Sequence, residues 1–230
     1  MTGGGREAET LVVATSNPGK AREFARAFGE LGYRVKSLAD FPDIPPVPET
    51  GGTFMENAEL KARAVAGRLG VPCVADDSGL RVKALGGEPG VRSARYAGEP
   101  ADDRANIAKL LAELEKRGAA CDPPPGLPLA PGIRLLSEAE FVAALVYFDP
   151  ARGTLLRAEG TCPGYIADRP RGAGGFGYDP VFYLPEYGRT MAELDIAEKQ
   201  AISHRGRAIR LLVSLMQRTP GTPGTSNPPG

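Results

Sequence analysis

The sequence predicts an α/β protein built on a mixed sheet, in two lobes with a cleft between them. Three observations predict it. In the N-terminal half, short apolar runs that read as strands alternate with helical patterns, the order that builds parallel pairs. In the C-terminal half two long strand-like runs follow one another across a tight turn, which builds antiparallel pairs. The chain has 230 residues, 42% apolar and 24% charged, values that suit one globular domain with a core of its own.

Each element has a local reason. Thr10 to Thr15 (TLVVAT) is a short buried strand, and Ala21, Phe24, Phe28 and Leu31 then recur at helical spacing until Gly32. Tyr33 to Leu38 is a second strand, followed by a proline-rich loop, Phe41 to Gly52, that no helix accommodates. Thr53-Phe54-Met55-Glu56 has the form of a capping box opening a helix with Phe54, Ala58, Val65 and Leu69 as its buried stripe, closed by Gly70. Val71 to Ala75 is a strand ending at Asp76-Asp77-Ser78-Gly79. Ile107, Leu110, Leu111 and Leu114 mark a helix with Asp102 and Asp103 at its positive end. Glu140 to Phe148 and Thr154 to Thr161 are the long strands, joined by Asp149 to Gly153, and Val181 to Leu184 is another. Ile202, Ile209, Leu212, Val213 and Met216 give a final helix. The expected organisation is a flexible extension over 1–9, a single domain over 10–217 with a Pro/Gly-rich insertion at 118–134, and a disordered tail over 218–230.

Charge and composition narrow the function classes. Lys plus Arg number 28 and Asp plus Glu number 28, so no cationic surplus is available for a nucleic acid backbone. A small anionic ligand needs only a few local cations. The longest apolar run, Phe141 to Phe148, is far short of the roughly 20 residues that cross a bilayer, so no membrane partner is expected. An N-terminus without an apolar stretch, together with three scattered cysteines, Cys73, Cys121 and Cys162, suits a reducing, cytoplasmic setting. A single histidine argues against a Cys/His zinc site.

Four segments could carry chemistry. Thr15-Ser16-Asn17-Pro18-Gly19-Lys20 joins a strand to a helix, and hydroxyls, free N–H groups and one lysine are what a phosphate chain needs. It lacks the spacing of a Walker A loop, and an ordinary connection has the same local form. Asp76-Asp77 at a strand end suits Mg²⁺, which prefers oxygen ligands. Neighbours on a strand point oppositely, so one carboxylate of the pair is expected to reach the metal, and an Asx turn is the plainer reading. Gly172 to Gly177 matches G-x-G-x-x-G by accident, because no strand leads directly into it and no helix follows. Its Phe176 and Asp179 can still wall a planar base. Finally, Lys199, His204 and Arg205 offer donors near the start of the last helix.

Taken in order, ATSNPGK, ETGGTFMENAELKA, ADDSGL, ALGGEPGVRSARYAG, GAGGFGYDPVF and EKQAISHRG resemble the inosine triphosphate pyrophosphatase family, also called Ham1-like, over about residues 11 to 217. The resemblance implies an elongated α/β fold with a central nucleotide-binding cleft and a homodimer. It also implies Mg²⁺-dependent hydrolysis of ITP, dITP and XTP to the monophosphate and pyrophosphate, which clears deaminated purines from the nucleotide pool. Carried over by position, Thr15, Ser16, Asn17, Pro18, Gly19 and Lys20 hold the triphosphate, and Asp77 is proton acceptor and metal ligand. Glu49 is the second metal group and Ser78 a substrate contact. Phe176, Gly177, Tyr178 and Asp179, with Lys199, His204 and Arg205, form the nucleoside pocket. A Maf-like nucleotide pyrophosphatase with another base preference, and a catalytically silent nucleotide-binding module, are the alternatives.

Overall fold

Strand β1 (Thr10–Val13) leads through helix α1 (Pro18–Gly29) to β2 (Arg34–Ser37), and α2 (Phe54–Leu69) leads to β3 (Cys73–Val82). After α3 (Asp103–Lys116) come β4 (Leu135–Asp149), β5 (Thr154–Ala167), β6 (Phe182–Leu184) and β7 (Arg189–Thr190), then α4 (Ile196–Ile202) and α5 (His204–Arg218). The computed structural model describes residues 8–127, 129–220 and 222. Residues 1–7 of the expected extension, Pro128 of the expected insertion, and residues 221 and 223–230 of the expected tail lie outside the described residues.

The strands form one seven-stranded sheet in the order β2-β1-β3-β4-β5-β6-β7. β1 is parallel to both β2 and β3, whereas β6 is antiparallel to both β5 and β7. The sheet is therefore mixed, as the order of elements predicts. No described helix is long and apolar enough to cross a membrane. The described residues divide into two compact units, one of 8–77, 144–159 and those from 208 onward, the other of 78–143 and 160–207.

In the first unit, Leu11, Val12 and Val13 are fully buried, the continuous apolar pattern of a strand covered on both faces. α1 starts where Asn17 caps it, its side-chain oxygen accepting the N–H of Gly19 (2.8 Å) and Lys20 (3.1 Å), with Pro18 at the first helical position. Its buried face is Phe24 and Phe28, stacked with ring centroids 5.9 Å apart. α2 opens with the expected capping box between Thr53 and Glu56 and buries Phe54, Ala58, Ala62, Val65 and Ala66.

In the second unit, α3 is capped by Asp102, which accepts the Ala105 N–H at 2.7 Å. Its Ile107, Leu110 and Leu114 join Leu80, Val82, Phe141, Ile166 and Phe182 in one core.

Several local expectations change, and β4 begins at Leu135 rather than at the expected Glu140. β3 does not end at Asp76-Asp77 but continues to Val82, with Leu80 and Val82 buried. Ser78-Gly79 reads as a turn, yet the alternation beyond it is stronger than the local stop signal. β5 runs past Thr161 to Ala167 because Gly164 belongs to the strand: a Cβ there would lie 2.6 Å from the Phe182 ring, so close packing rather than a turn explains that glycine. The final helical region is two helices, α4 and α5, meeting at Ser203, whose Oγ accepts the Gly206 N–H at 3.0 Å.

Candidate active site

In the first unit the β1–α1 turn forms one wall of a cavity of about 390 Å³, lined among others by Thr15, Ser16, Lys20, Glu49, Lys61 and Asp76. Thr15 Oγ1 accepts the Asn17 N–H at 3.1 Å, and the Asn17 side-chain oxygen is committed to capping α1. Asn17, Pro18 and Gly19 therefore shape the turn. Of the turn, Thr15, Ser16 and Lys20 line the cavity. The Lys20 ammonium lies 2.9 Å from Asp76 Oδ2.

Glu49 is placed by the start of α2. Asn57 Oδ1 accepts the Gly51 N–H at 2.7 Å, and Glu56 Oε2 accepts the Gly52 N–H at 2.7 Å, which ties down the segment just after Glu49. Lys61, four residues beyond Asn57 and on the same helix face, donates to Glu49 Oε1 (3.0 Å), Asp77 Oδ1 (3.3 Å) and the Asp76 carbonyl oxygen (2.8 Å). One ammonium thus gathers both carboxylates that the sequence singles out for metal binding.

Burial pushes the Asp77 carboxyl above the usual carboxylate range, the Lys61 ammonium opposes that shift and the neighbouring Glu49 charge adds to it. Asp77 Oδ2 and Asn57 Nδ2 are both buried and make no hydrogen bond of ordinary geometry, although the amide is near enough to favour the carboxylate. A buried carboxylate oxygen left over in this way, beside a second carboxylate, fits a hard divalent cation. Among the described residues no set of three or more His, Cys, Asp or Glu is arranged to hold a metal. Two carboxylates suffice for Mg²⁺, which commonly keeps water and substrate phosphate as its other ligands.

In the second unit the segment after β5 is built from backbone. Asp179 is buried, accepts the Phe176 N–H at 2.9 Å and pairs with the Lys199 ammonium. Gly175 has φ +76°, and a Cβ on it would lie 2.1 Å from Asp179 Oδ2, so both conformation and space require glycine. Gly174 N–H donates to the Ala192 carbonyl at 3.1 Å and Gly177 N–H to Asp103 Oδ2 at 2.7 Å. Held at these points, the loop presents Phe176 with 57% of its surface exposed, the Lys199 ammonium lying 4.9 Å from its ring centroid.

Tyr178 turns the other way: its ring is in the core and its hydroxyl donates to the Ser93 carbonyl at 2.8 Å, so it anchors the loop. Arg205 is buried and donates to Ser78 Oγ at 3.0 Å. The His204 ring stacks on Phe141, centroids 5.0 Å apart.

The structure thus brings Thr15, Ser16, Lys20 and Glu49 together around the first cavity, with Asp77 joined to them through Lys61. It brings Phe176, Gly177 and Asp179 together in the loop of the second unit, with Lys199 reaching them from α4, and pairs Ser78 with Arg205. Sequence reasoning missed Lys61, Asn57 and Asp103, and saw Asp76 only as half of a pair. The available signal for Lys61 was its i+4 spacing from Asn57 on the polar side of α2, inside a segment otherwise explained by its capping box. Asp103 had only its place in the first turn of α3.

A mixed α/β sheet with a lysine in its first strand-to-helix turn, a lysine-bridged acidic pair, and a glycine loop presenting an aromatic ring fit the class of nucleotide-handling α/β proteins. Within that class the chain belongs to the Ham1 family, whose profile matches residues 11–123 and 129–215. It is 56% identical over 202 residues to a dITP/XTP pyrophosphatase of Geobacillus kaustophilus, covering 88% of this chain and 91% of the relative. To a dITP/XTP pyrophosphatase of Bacillus anthracis it is 50% identical over 208 residues, covering 88% and 93%. Among solved structures, the Ham1 protein of Staphylococcus aureus superposes with a TM-score of 0.77 at 41% identity, covering 91% of this chain and 99% of that one. The nucleoside-triphosphatase (dITP/XTP pyrophosphatase) of Mycobacterium abscessus does so with 0.69 at 43% identity, covering 88% and 98%.

Proposed function

We propose that this chain is a Mg²⁺-dependent nucleoside triphosphate pyrophosphatase that hydrolyses dITP, ITP and XTP to the monophosphate and pyrophosphate. The observation that carries the reading is the Lys61 ammonium joining Glu49 to Asp77 beside the Thr15–Lys20 turn. Family membership and the activity named for the relatives support it.

In this reading Lys20 and Lys61 offset the charge of the phosphates, and the Thr15 and Ser16 hydroxyls orient them. Glu49 and Asp77 hold Mg²⁺, which when bound screens phosphate charge and lowers the pKa of coordinated water. Asp77 accepts the proton of the attacking water as its oxygen bonds to phosphorus and the α–β anhydride bond breaks, pyrophosphate leaving. The raised affinity of the Asp77 carboxyl for protons suits a base.

The purine has its own proposed set of groups. Phe176 offers a ring face for stacking. Lys199, His204 and Arg205 offer donors to the 6-oxo group of hypoxanthine or xanthine, where adenine presents a donor of its own. A homodimer is part of the same reading and is supported by the family resemblance. A cytoplasmic setting is supported by Cys73, Cys121 and Cys162 all being free thiols.

The test is pyrophosphate release from dITP, ITP, XTP, ATP, GTP and pyrimidine triphosphates, with Mg²⁺ and with chelator. Release confined to the deaminated purines and to Mg²⁺ is expected. Preference for a pyrimidine substrate would replace the reading with a Maf-like one, and nucleotide binding without release would leave a silent binding module.

A further inference from the structure

We propose that Asp76 is a positioning residue for the phosphate-binding lysine, its carboxylate holding the Lys20 ammonium against the cavity wall. The inference rests on the function proposed above and adds a residue to it. Adjacent positions on β3 direct their side chains oppositely, and the two aspartates have different partners: Asp77 goes to Lys61, whereas Asp76 Oδ2 lies 2.9 Å from Lys20 Nζ. The Asp76 side chain is only 1% exposed and that of Lys20 is 23% exposed. Burying a carboxylate to this degree is unfavourable unless a cation compensates it, so the pair is a built feature of the strand.

The position of the lysine explains why it needs holding. Lys20 sits in the first turn of α1, which has no acidic residue of its own. The positive end of the helix macrodipole disfavours an ammonium there, and a long flexible side chain would relieve that repulsion by swinging into water. Asp76, on the strand next to β1 in the sheet, offsets the repulsion and keeps the ammonium at the cavity that Thr15 and Ser16 also line. The Asp76 main-chain oxygen also accepts from Lys61 at 2.8 Å. One residue therefore places both ammonium groups that line the cavity, Lys20 through its side chain and Lys61 through its backbone.

The decisive experiment is a double-mutant cycle on kcat/KM for dITP with Mg²⁺. Asp76→Asn is expected to lower kcat/KM at least tenfold in the wild-type background and less than twofold in a Lys20→Ala background. An equal loss in both backgrounds, or no loss in either, overturns the proposal. A second measurement on the unmodified protein stands whether or not the variant folds. In ¹⁵N NMR the Lys20 ammonium, assigned by its absence in Lys20→Ala, should exchange its hydrogens slowly without ligand. A rapidly exchanging Lys20 ammonium in the folded wild type overturns the pairing. Should the wild type release no pyrophosphate from any triphosphate, the functional reading fails, while the NMR measurement still decides the pairing.

Discussion

The cavity of the first unit and the glycine loop of the second solve the problem of a preorganised site in opposite ways. Around the cavity the charged side chains are paired with one another: Lys20 with Asp76, Lys61 with Glu49 and Asp77. In the loop the donors are backbone N–H groups, those of Gly174, Phe176 and Gly177, bound to the Ala192 carbonyl and the Asp179 and Asp103 carboxylates, with a glycine where no Cβ fits. Paired charges can exchange partners when an anion or a cation arrives, since the attraction between them is of the same kind as that to the ligand. A backbone conformation that only glycine can adopt, as at Gly175, is fixed before any ligand arrives. The first arrangement suits charge that changes during a reaction, the second a rigid wall for a planar group.

The largest expected effect falls on the charged region. Asp77→Asn should lower kcat for dITP by a factor on the order of 10² to 10⁴, the usual worth of a positioned base, with nucleotide binding retained in a fluorescence or calorimetric titration. Turnover within threefold of wild type at saturating Mg²⁺ would remove Asp77 from the chemistry. The same residue makes a pH prediction. Asp77 must be ionised to accept a proton, and burial raises its pKa, so at subsaturating Mg²⁺ kcat/KM should fall on acidification at a higher pH than an exposed aspartate, pKa about 3.9, would allow. Because the Glu49 charge contributes to that rise, Glu49→Gln should move the acid limb to lower pH.

Next comes the loop. Gly175→Ala places a Cβ 2.1 Å from Asp179 Oδ2 at φ +76°, adding steric conflict to a backbone cost of about 1 kcal/mol or more. The loop must shift and Phe176 with it. KM for dITP should rise about tenfold while kcat changes less, because the chemical groups lie elsewhere. If kcat falls and KM does not, the loop serves the reaction and the contrast between the two regions breaks down.

Arg205→Ala sharpens the contrast from the donor side. The Arg205 guanidinium is buried and bonded to Ser78, and losing it should narrow the ITP/ATP ratio of kcat/KM roughly tenfold, mainly by slowing ITP. An unchanged ratio would assign Arg205 to the phosphates or to the helix end.

The smallest effect concerns a paired charge just before the loop. Hydrogen bonding from Arg169, helped by Arg134, holds the Asp168 carboxyl down at about 2 against an ordinary 3.8. A depressed pKa contributes stability that is present above the unfolded value and lost as pH falls from about 4 through about 2. The urea midpoint of the wild type should therefore fall over that window more than the midpoint of Asp168→Asn. Parallel curves would show that this surface network contributes nothing to stability.

Much of the site was legible in one dimension because its parts are local. The Asn17 cap, the Thr53–Glu56 box and the Asp102 cap each satisfy backbone groups within three residues, so residue type and spacing are enough to read them. Even the opposite destinations of Asp76 and Asp77 follow from the two-residue period of a strand. The end of β3 was misread for a related reason: Ser78-Gly79 is a local stop signal, whereas the strand is continued by the burial of Leu80 and Val82 in a core assembled from distant segments.

What the amino-acid order determined by itself is the class of fold and the chemical vocabulary: a phosphate-type turn, an acidic pair, a glycine loop with one exposed ring and a run of donors. Which groups meet was decided only in three dimensions. Asp76 finds Lys20 across 56 positions of sequence, Lys61 finds Asp77 across 16, and Gly177 finds Asp103 across 74. None of these pairs has a periodicity to reveal it, because an ion pair or a hydrogen bond depends on separation in space, and at such sequence distances that separation is set by the packing of the sheet and its helices.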